Sequence, residues 1–372
     1  MNDAVVSQPG SLVGQPVSVL DTPALIVDLD VIEKNIARIA AECRKHGVNW
    51  RPHVKGNKTV EIVRKEIGAG AIGITCAKIG EAQVMADAGV RSILIANEIV
   101  GTPKIARLVA LQDQAEVIVG IDSVANASPI AAAAAQVGKT VPVVIEVNVG
   151  MNRAGVAPGA AVVELADAVA KMKGLRLVGL MAWESHACTI EDPAEKERVV
   201  AEALKKLTDT AAACRKAGHR MDIVSCGGSG TFPYCIRQPG ITEVQMGGAI
   251  FSDVHYTTHY HLDFPPALRV LASVTSRPTP TRVILDAGKK TMSSDAAAPC
   301  PQGIGAAASV RLSAEHATVE MQVPSGNPAV GDKVEFVVGY GDTTVHLHEE
   351  IVAVRAGRVE AIWKVAARGR IK

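Results

Sequence analysis

Between residues 48 and 246 the chain repeats one alternation eight times, a short apolar run with strand character followed by a stretch of helical spacing. The strand-like segments fall near 48–53, 71–76, 92–96, 115–120, 141–148, 176–182, 221–226 and 242–246. Most are separated by helix candidates such as Ile79–Ala88, Pro103–Leu111, Pro158–Met172 and Pro193–Ala217. Three of these open on a proline, which suits a first helical turn because that turn has no use for its N–H. The run Val141-Pro142-Val143-Val144-Ile145-Glu146-Val147 is nearly continuous in apolar character, as parallel strands covered on both faces are. Eight such units predict an α/β fold, a (β/α)8 TIM barrel.

The pattern changes on both sides of the barrel. Pro23–Leu29 reads as an apolar strand, and Asp30–His46 as an amphipathic helix with Ile32, Ile36 and Ile39 on one face. Beyond about residue 266, short strand-like segments at 270–276, 282–286, 333–338, 350–354 and 359–364 follow one another through Gly, Pro and Asp turns without long helices. A C-terminal, mostly β domain is expected there. The strand at 23–29 is surplus to the barrel's eight and can join that domain's sheet, tying the chain ends together. The expected division is a tail over 1–20, a strand and helix over 21–46 packed with the β domain, the barrel over 47–265 and the β domain over 266–372. A length of 372 residues exceeds what one hydrophobic core comfortably serves.

Charge and composition narrow the function. Lysine plus arginine number 39 against 38 acidic residues, a net +1, so no field attracts nucleic acid or an anionic membrane. No apolar run approaches the ~20 residues a spanning helix needs. Met1–Gln15 has an early acidic residue, no basic segment and a Pro-Gly pair, which argues against a secretory signal and for the cytoplasm. The cysteines at 43, 76, 188, 214, 226, 235 and 300 are odd in number and lack a Cys-x-x-Cys pair, so neither a disulfide framework nor a zinc cage is expected. Small-molecule chemistry remains.

The chemistry-bearing segments lie at strand ends. Arg51-Pro52-His53-Val54-Lys55-Gly56-Asn57-Lys58 closes the first barrel strand, and alternation puts Arg51, His53 and Lys55 on one side. Converging cations lower an amine's pKa and favour the neutral form that attacks an aldehyde. Lys55, with His53 beside it, is therefore a candidate for a Schiff base with an aldehyde cofactor; a solvated basic loop is the alternative. Glycine-rich turns follow the seventh strand (Ser225–Thr231) and the eighth (Gly247-Gly248-Ala249), where barrels bind phosphate through exposed backbone N–H groups. These two turns would then grip one end of pyridoxal 5'-phosphate and Lys55 the other. After the fifth strand, Asn148–Val156 carries Arg153 between glycines, a permanent cation suited to the cofactor ring. After the sixth, Trp183 offers an aromatic face, with Glu184 and His186 as acid–base candidates. The segment His255–His261 holds three histidines that could meet a substrate carboxylate or a metal.

The segments DTPALIVDLD, RPHVKGNK, NVGMNRAGV, CGGSGTF, EVQMGGAIFSD and RVILDAGKK, in this order, resemble the D-threonine aldolase / D-serine dehydratase family from about residue 20 to the end. The resemblance implies a fold-type III pyridoxal-phosphate enzyme with an alanine-racemase-like barrel, a β domain and a homodimeric assembly. It makes Lys55 the cofactor-linking lysine, Arg153 the ring contact, and Gly228, Ser229, Gly247 and Gly248 the phosphate loops. Asp286 and Lys290 fall in the family's Asp-Ala-Gly stretch without assigned roles. Two positions depart. Trp183 stands where the family usually has tyrosine, and Tyr340-Gly341-Asp342 stands where a His-x-Asp or His-x-Cys pair binds a divalent ion (Mn, Mg or Zn) that engages the substrate's β-hydroxyl. A neutral phenol is a poor ligand beside imidazole, so metal dependence is in doubt. Asp342 is left with His346 or His348 to compensate, and Asp342 with His348 is the expected metal pair.

The activity expected from the resemblance is cleavage of a D-β-hydroxy amino acid to glycine and an aldehyde, with His186 and His348 as bases for the hydroxyl proton. A D-serine or D-3-hydroxyaspartate dehydratase is the alternative. A racemase would need a second base on the opposite face, and no counterpart is evident; Gly56-Asn57-Lys58 follows the lysine where alanine racemases carry aspartate and tyrosine. A pyridoxal carrier is disfavoured by the full β domain. A sugar-phosphate barrel would carry no cofactor at Lys55.

Overall fold

The computed structural model describes residues 12–372, so most of the expected tail lies outside the described residues. The chain forms two compact units. One comprises the stretch ending at Asn35 with Ala249–Thr258 and Leu262–Arg368; the other comprises Ile36–Gly248, His259–His261 and Gly369–Lys372. Strand β1 (Ala24–Asp28) leads into helix α1 (Leu29–Lys45), within which the chain passes from the first unit to the second.

Eight strands build the barrel unit: β2 (Asn49–Trp50), β3 (Ile74–Cys76), β4 (Ser92–Glu98), β5 (Glu116–Ile121), β6 (Val141–Glu146), β7 (Leu175–Met181), β8 (Ile223–Cys226) and β9 (Glu243–Val244). They pair in parallel in the order β2-β9-β8-β7-β6-β5-β4-β3. The ring closes where His53 bridges Thr75, with Val54 N donating to Thr75 O and Thr75 N to Pro52 O, both at 2.8 Å. The expected TIM barrel is therefore what forms. Helices α2 (Val60–Gly68), α3 (Ile79–Asp87), α4 (Thr102–Leu111), α5 (Val124–Gln136), α6 (Ala160–Ala170), α7 (Pro193–Lys216) and α8 (Phe232–Cys235) connect the strands. Inside the ring, Leu94, Ile118, Val144, Val178 and Met181 make one buried cluster that includes no helix residue. This apolar plug is the floor on which polar side chains at the strand ends stand.

The other unit is a nine-stranded sheet. It contains β10 (Leu268–Thr279), β11 (Arg282–Leu285), β12 (Cys300–Pro301), β13 (Ala307–Leu312), β14 (Ala317–Met321), β15 (Lys333–Val337), β16 (Glu350–Arg355) and β17 (Arg358–Lys364), with the short helices α9 (Val254–Thr258) and α10 (Gly341–Thr344). β1 lies in the middle of it, antiparallel to β10 and parallel to β16. The surplus N-terminal strand thus joins the C-terminal sheet as its sequence suggests, with Leu25, Ile26 and Val27 all buried. Strands β12 to β14 were not expected. No residue of β13 is buried, so it carries no apolar alternation to read.

Candidate active site

The lysine segment does not continue as a strand. Asn57 N and Lys58 N both donate to Val54 O, at 3.2 and 2.8 Å, turning the chain so that Lys55 is exposed between buried Val54 and Gly56. Lys58, three residues on, is held by an ion pair with the buried Glu81. Glu81 also accepts from Ala77 N at 2.8 Å and Lys78 N at 3.2 Å, fixing the start of α3. Of these two lysines, Lys55 is the one presented outward.

Arg51 is not part of that group. Its Nε lies 3.0 Å from Glu243 and its Nη1 2.8 Å from Ser92 Oγ, the first residues of β9 and β4, so it is buried at the N-terminal end of the strands. Alternation fixes the face of a strand, but each residue also climbs about 3.3 Å, which separates Arg51 from Lys55 in depth. The cations acting on His53 are Lys55, Lys58 and Arg153 instead; together with burial, the leading cause, they hold its pKa well below the ordinary histidine value. His53 is a neutral imidazole whose Nδ1 accepts from Lys55 N at 3.4 Å.

Two glycine turns border this lysine. A Cβ on Gly247 would stand 2.0 Å from His53 O, so the turn after β9 presses backbone to backbone against the lysine strand. A Cβ on Gly228 would stand 2.0 Å from Trp183, whose indole lies across the turn after β8. Neither position has room for a side chain; Gly228 N donates to Thr231 Oγ1 at 3.3 Å, and Ser229 is buried. Glu184 proves to be no surface acid. It is wholly buried beneath the turn, accepting from Thr231 Oγ1 at 2.5 Å, Cys235 Sγ at 3.1 Å and Gly227 N at 3.3 Å. Burial raises its pKa, and its part is to brace the turn.

The Arg153 loop folds back onto the end of β6. Val156 N donates to Glu146 O at 2.9 Å and Asn148 N to Val156 O at 2.8 Å; Asn148 Oδ1 accepts from Gly150 N and Asn152 N, each at 3.1 Å. Gly155 N donates to Asp122 Oδ2 at 3.2 Å. Exposed His186 packs on the loop, since a Cβ on Gly150 would meet its ring at 2.8 Å. Arg153 Nη2 reaches Glu146 Oε1 at 3.7 Å. Burial first, then Glu98, pushes the Glu146 carboxyl up to about 7. The sequence reading missed these acids, although Glu98, Asp122 and Glu146 each mark the end of an apolar strand, and three consecutive strands ending so is a legible signal.

In the other unit, Tyr340 is ringed by aromatics. Its ring stands edge-on to His255 at 5.1 Å and to Tyr256 at 5.9 Å. Tyr256 Oη donates to Asp342 Oδ1 at 3.4 Å, and Asp253 accepts from Gly341 N at 2.7 Å and Tyr256 N at 2.8 Å. His348 gives its Nε2–H to Thr291 O at 2.6 Å, and neither it nor Asp342 belongs to any cluster of three donors among the described residues. His255, His259 and His261 form no such cluster either. The cluster that does exist is Glu184, Cys226 and Cys235. Burial, the leading cause, drives both thiol pKa values up, and Cys235 Sγ donates to Glu184 Oε1 at 3.1 Å. Asp286 accepts from Thr22 Oγ1 at 2.6 Å and Ser273 N at 2.8 Å, and Lys290 pairs with Glu315 on the surface, so both serve the β unit's structure.

A parallel barrel with an outward lysine after its first strand, glycine turns after its last two, and a β sheet that takes in the chain's first strand defines the alanine-racemase-like class of pyridoxal-phosphate enzymes. The chain matches the alanine racemase N-terminal domain over residues 27–254 and a putative serine dehydratase domain over 267–354. It belongs to the D-threonine aldolase / D-serine dehydratase family, whose members are pyridoxal-phosphate lyases. A D-threonine aldolase of Arthrobacter sp. is 34% identical over 349 residues, covering 93% of this chain and 92% of that protein. The crystal structure of D-threonine aldolase from Filomicrobium marinum superposes with a TM-score of 0.92 at 34% identity, covering 97% of this chain and 99% of the other. D-threo-3-hydroxyaspartate dehydratase from Delftia sp. superposes with a TM-score of 0.81 at 27% identity, covering 94% and 98%. Among the described residues, no helix is long and apolar enough to cross a membrane.

The barrel's own geometry fits the cofactor. An exposed amine, a neutral imidazole beside it and two turns without room for a Cβ suit an aldehyde joined to a phosphate.

Proposed function

We propose that this protein cleaves the Cα–Cβ bond of D-β-hydroxy amino acids, releasing glycine and an aldehyde. The observation that carries the reading is its relationship, over 93% of the chain, to a D-threonine aldolase. Pyridoxal phosphate, when bound, supplies an aldehyde carbon for an amine and a ring that accepts the electron pair leaving Cα. Lys55 would hold that aldehyde, and its amine, when free, would deliver the proton that Cα needs to become glycine. Backbone amides of Gly228, Ser229, Gly247 and Gly248 receive the phosphate, Arg153 meets the ring, and Trp183 covers a face. His53, kept neutral, adds no positive charge beneath the lysine.

His186 takes the β-hydroxyl proton. Loss of that proton would let the O–H pair become the aldehyde's carbonyl bond as Cα–Cβ breaks. His348, expected to share this work, has its Nε2 committed to Thr291, so the role falls to His186. The reading also makes the enzyme a cytoplasmic homodimer; seven unpaired cysteines, six of them buried, support a reducing compartment.

The structural likeness to a dehydratase favours one rival, in which the α-proton is removed, hydroxide leaves, and a keto acid and ammonia result. Incubating the holoenzyme with D-threonine, D-serine and D-3-hydroxyaspartate separates the two. Glycine with an aldehyde, formed by the parent and not by Lys55→Ala, is the expected product; keto acid with ammonia from every substrate would overturn the aldolase reading.

A further inference from the structure

We propose that Glu98 and Glu146 share a single proton inside the barrel mouth, and that this carboxyl pair is the device that positions Arg153 for cofactor and substrate. The inference rests on the reading of the mouth given above. β4 and β6 flank β5, and alternate strands of a barrel send their side chains into the same interior layer. Leu94 on β4 and Val144 on β6 belong to the apolar plug. On β6, Glu146 lies two residues beyond Val144 and so on the same face, and on β4 an irregularity after Ile95 brings Glu98 level with Gly120 of β5, two residues beyond Ile118 of the plug. Glu146 is only 6% exposed.

The contacts of the pair make sense only with a proton between the two groups. One oxygen of Glu98 is buried and accepts no hydrogen bond, yet its carboxyl lies within hydrogen-bond reach of Glu146. Two carboxylates repel at such a distance, and a buried acceptor without a donor is costly. An O–H on one carboxyl, directed at the other, removes both penalties, as in other buried acid pairs.

The remaining charged groups facing Glu146 are Arg153 and Asp122. Asp122 is committed to the scaffold, accepting from Asn126 Nδ2 at 2.7 Å and from Gly155 N at 3.2 Å. It therefore pins the loop that carries Arg153 and leaves Glu146 as the guanidinium's partner at 3.7 Å. With one proton the pair bears a single negative charge against a single cation, and Arg153, 55% exposed, can serve a ligand in the mouth. Without it, two negative charges on a dry floor draw the guanidinium down and away from the ring. Burial and mutual repulsion bring this second ionisation close to neutrality.

The test uses the holoenzyme. Infrared difference spectra recorded across neutrality on glutamate-labelled parent protein should show a protonated-carboxyl band lost as pH rises, and kcat/KM should fall over the same interval. Glu98→Gln, which keeps a donor for Glu146 but cannot ionise, should lose both the band and the alkaline fall. Glu146→Gln should bind pyridoxal phosphate about tenfold more weakly, the scale on which supporting partners act. The proposal is overturned if the parent shows no such band, if Glu98→Gln keeps it, or if Glu146→Gln binds the cofactor as tightly as the parent. The band and the cofactor affinity do not depend on which amino acid is turned over, so a mistaken substrate and a mistaken carboxyl pair give different results.

Discussion

Tyr340 is one of two residues at which this chain departs from its family's pattern, and its ring lies within an aromatic cluster. Its ring packs edge-on against His255 and Tyr256, and Tyr256 supplies the hydrogen bond that Asp342 accepts. Edge-to-face contacts are worth roughly 0.5–1.5 kcal/mol each beyond buried area, so the cluster holds the phenol in place. We therefore expect chelators to leave activity unchanged. Titration of the parent with Mn2+, followed by electron paramagnetic resonance, should give the spectrum of the free ion. Tyr340→His, which returns an imidazole beside Asp342, should produce a bound-ion signal; a bound ion in the parent, or none in the variant, counts against this account.

At the scale of the element, the site is made by turns rather than by strands. The turn after β9 approaches the lysine strand so closely that Gly247→Ala would put a Cβ 2.0 Å from His53 O. Backbone, unlike a flexible side chain, cannot step aside, so the substitution should cost about 1–3 kcal/mol, the usual range for overpacking. Denaturant unfolding would measure that loss, and cofactor content after purification should fall with it. The glycines themselves were legible in the sequence, since two glycine-rich turns after the last two strands of a barrel carry a stated mechanism. The depth of the lysine segment was not. Period-two alternation assigned Arg51 to the mouth with Lys55, whereas the chain leaves strand geometry at Val54 and Arg51 stays buried with Glu243. α2 escaped notice too, because one of its buried positions is Glu66 and its apolar stripe is short.

The whole molecule depends on a connection between its ends. β1 lies between β10 and β16, so the sheet of the β unit cannot be completed until residues more than two hundred positions apart have met. Leu25, 1% exposed, sits at its centre. Leu25→Ala should destabilise the protein by about 3 kcal/mol, within the range for emptying a leucine site. Urea unfolding monitored by Trp363, which is 8% exposed on β17 in the same sheet, should show the β unit's transition moving to lower denaturant. An unchanged midpoint would mean that β1 is dispensable to the sheet.

The sequence alone determined what repetition and local chemistry can encode: eight buried parallel strands from their apolar runs, a surplus N-terminal strand from simple counting, and a lysine and glycine turns from their places at strand ends. Those signals are periodic or confined to a few neighbouring residues, so they survive without coordinates. Tertiary structure decided which charges face one another. Glu98, Asp122, Glu146 and Arg153 come from three strand ends and a loop, and Tyr340 meets His255 across 85 positions of chain; the energy of a charge or ring depends on distance and burial, which no spacing along the chain fixes.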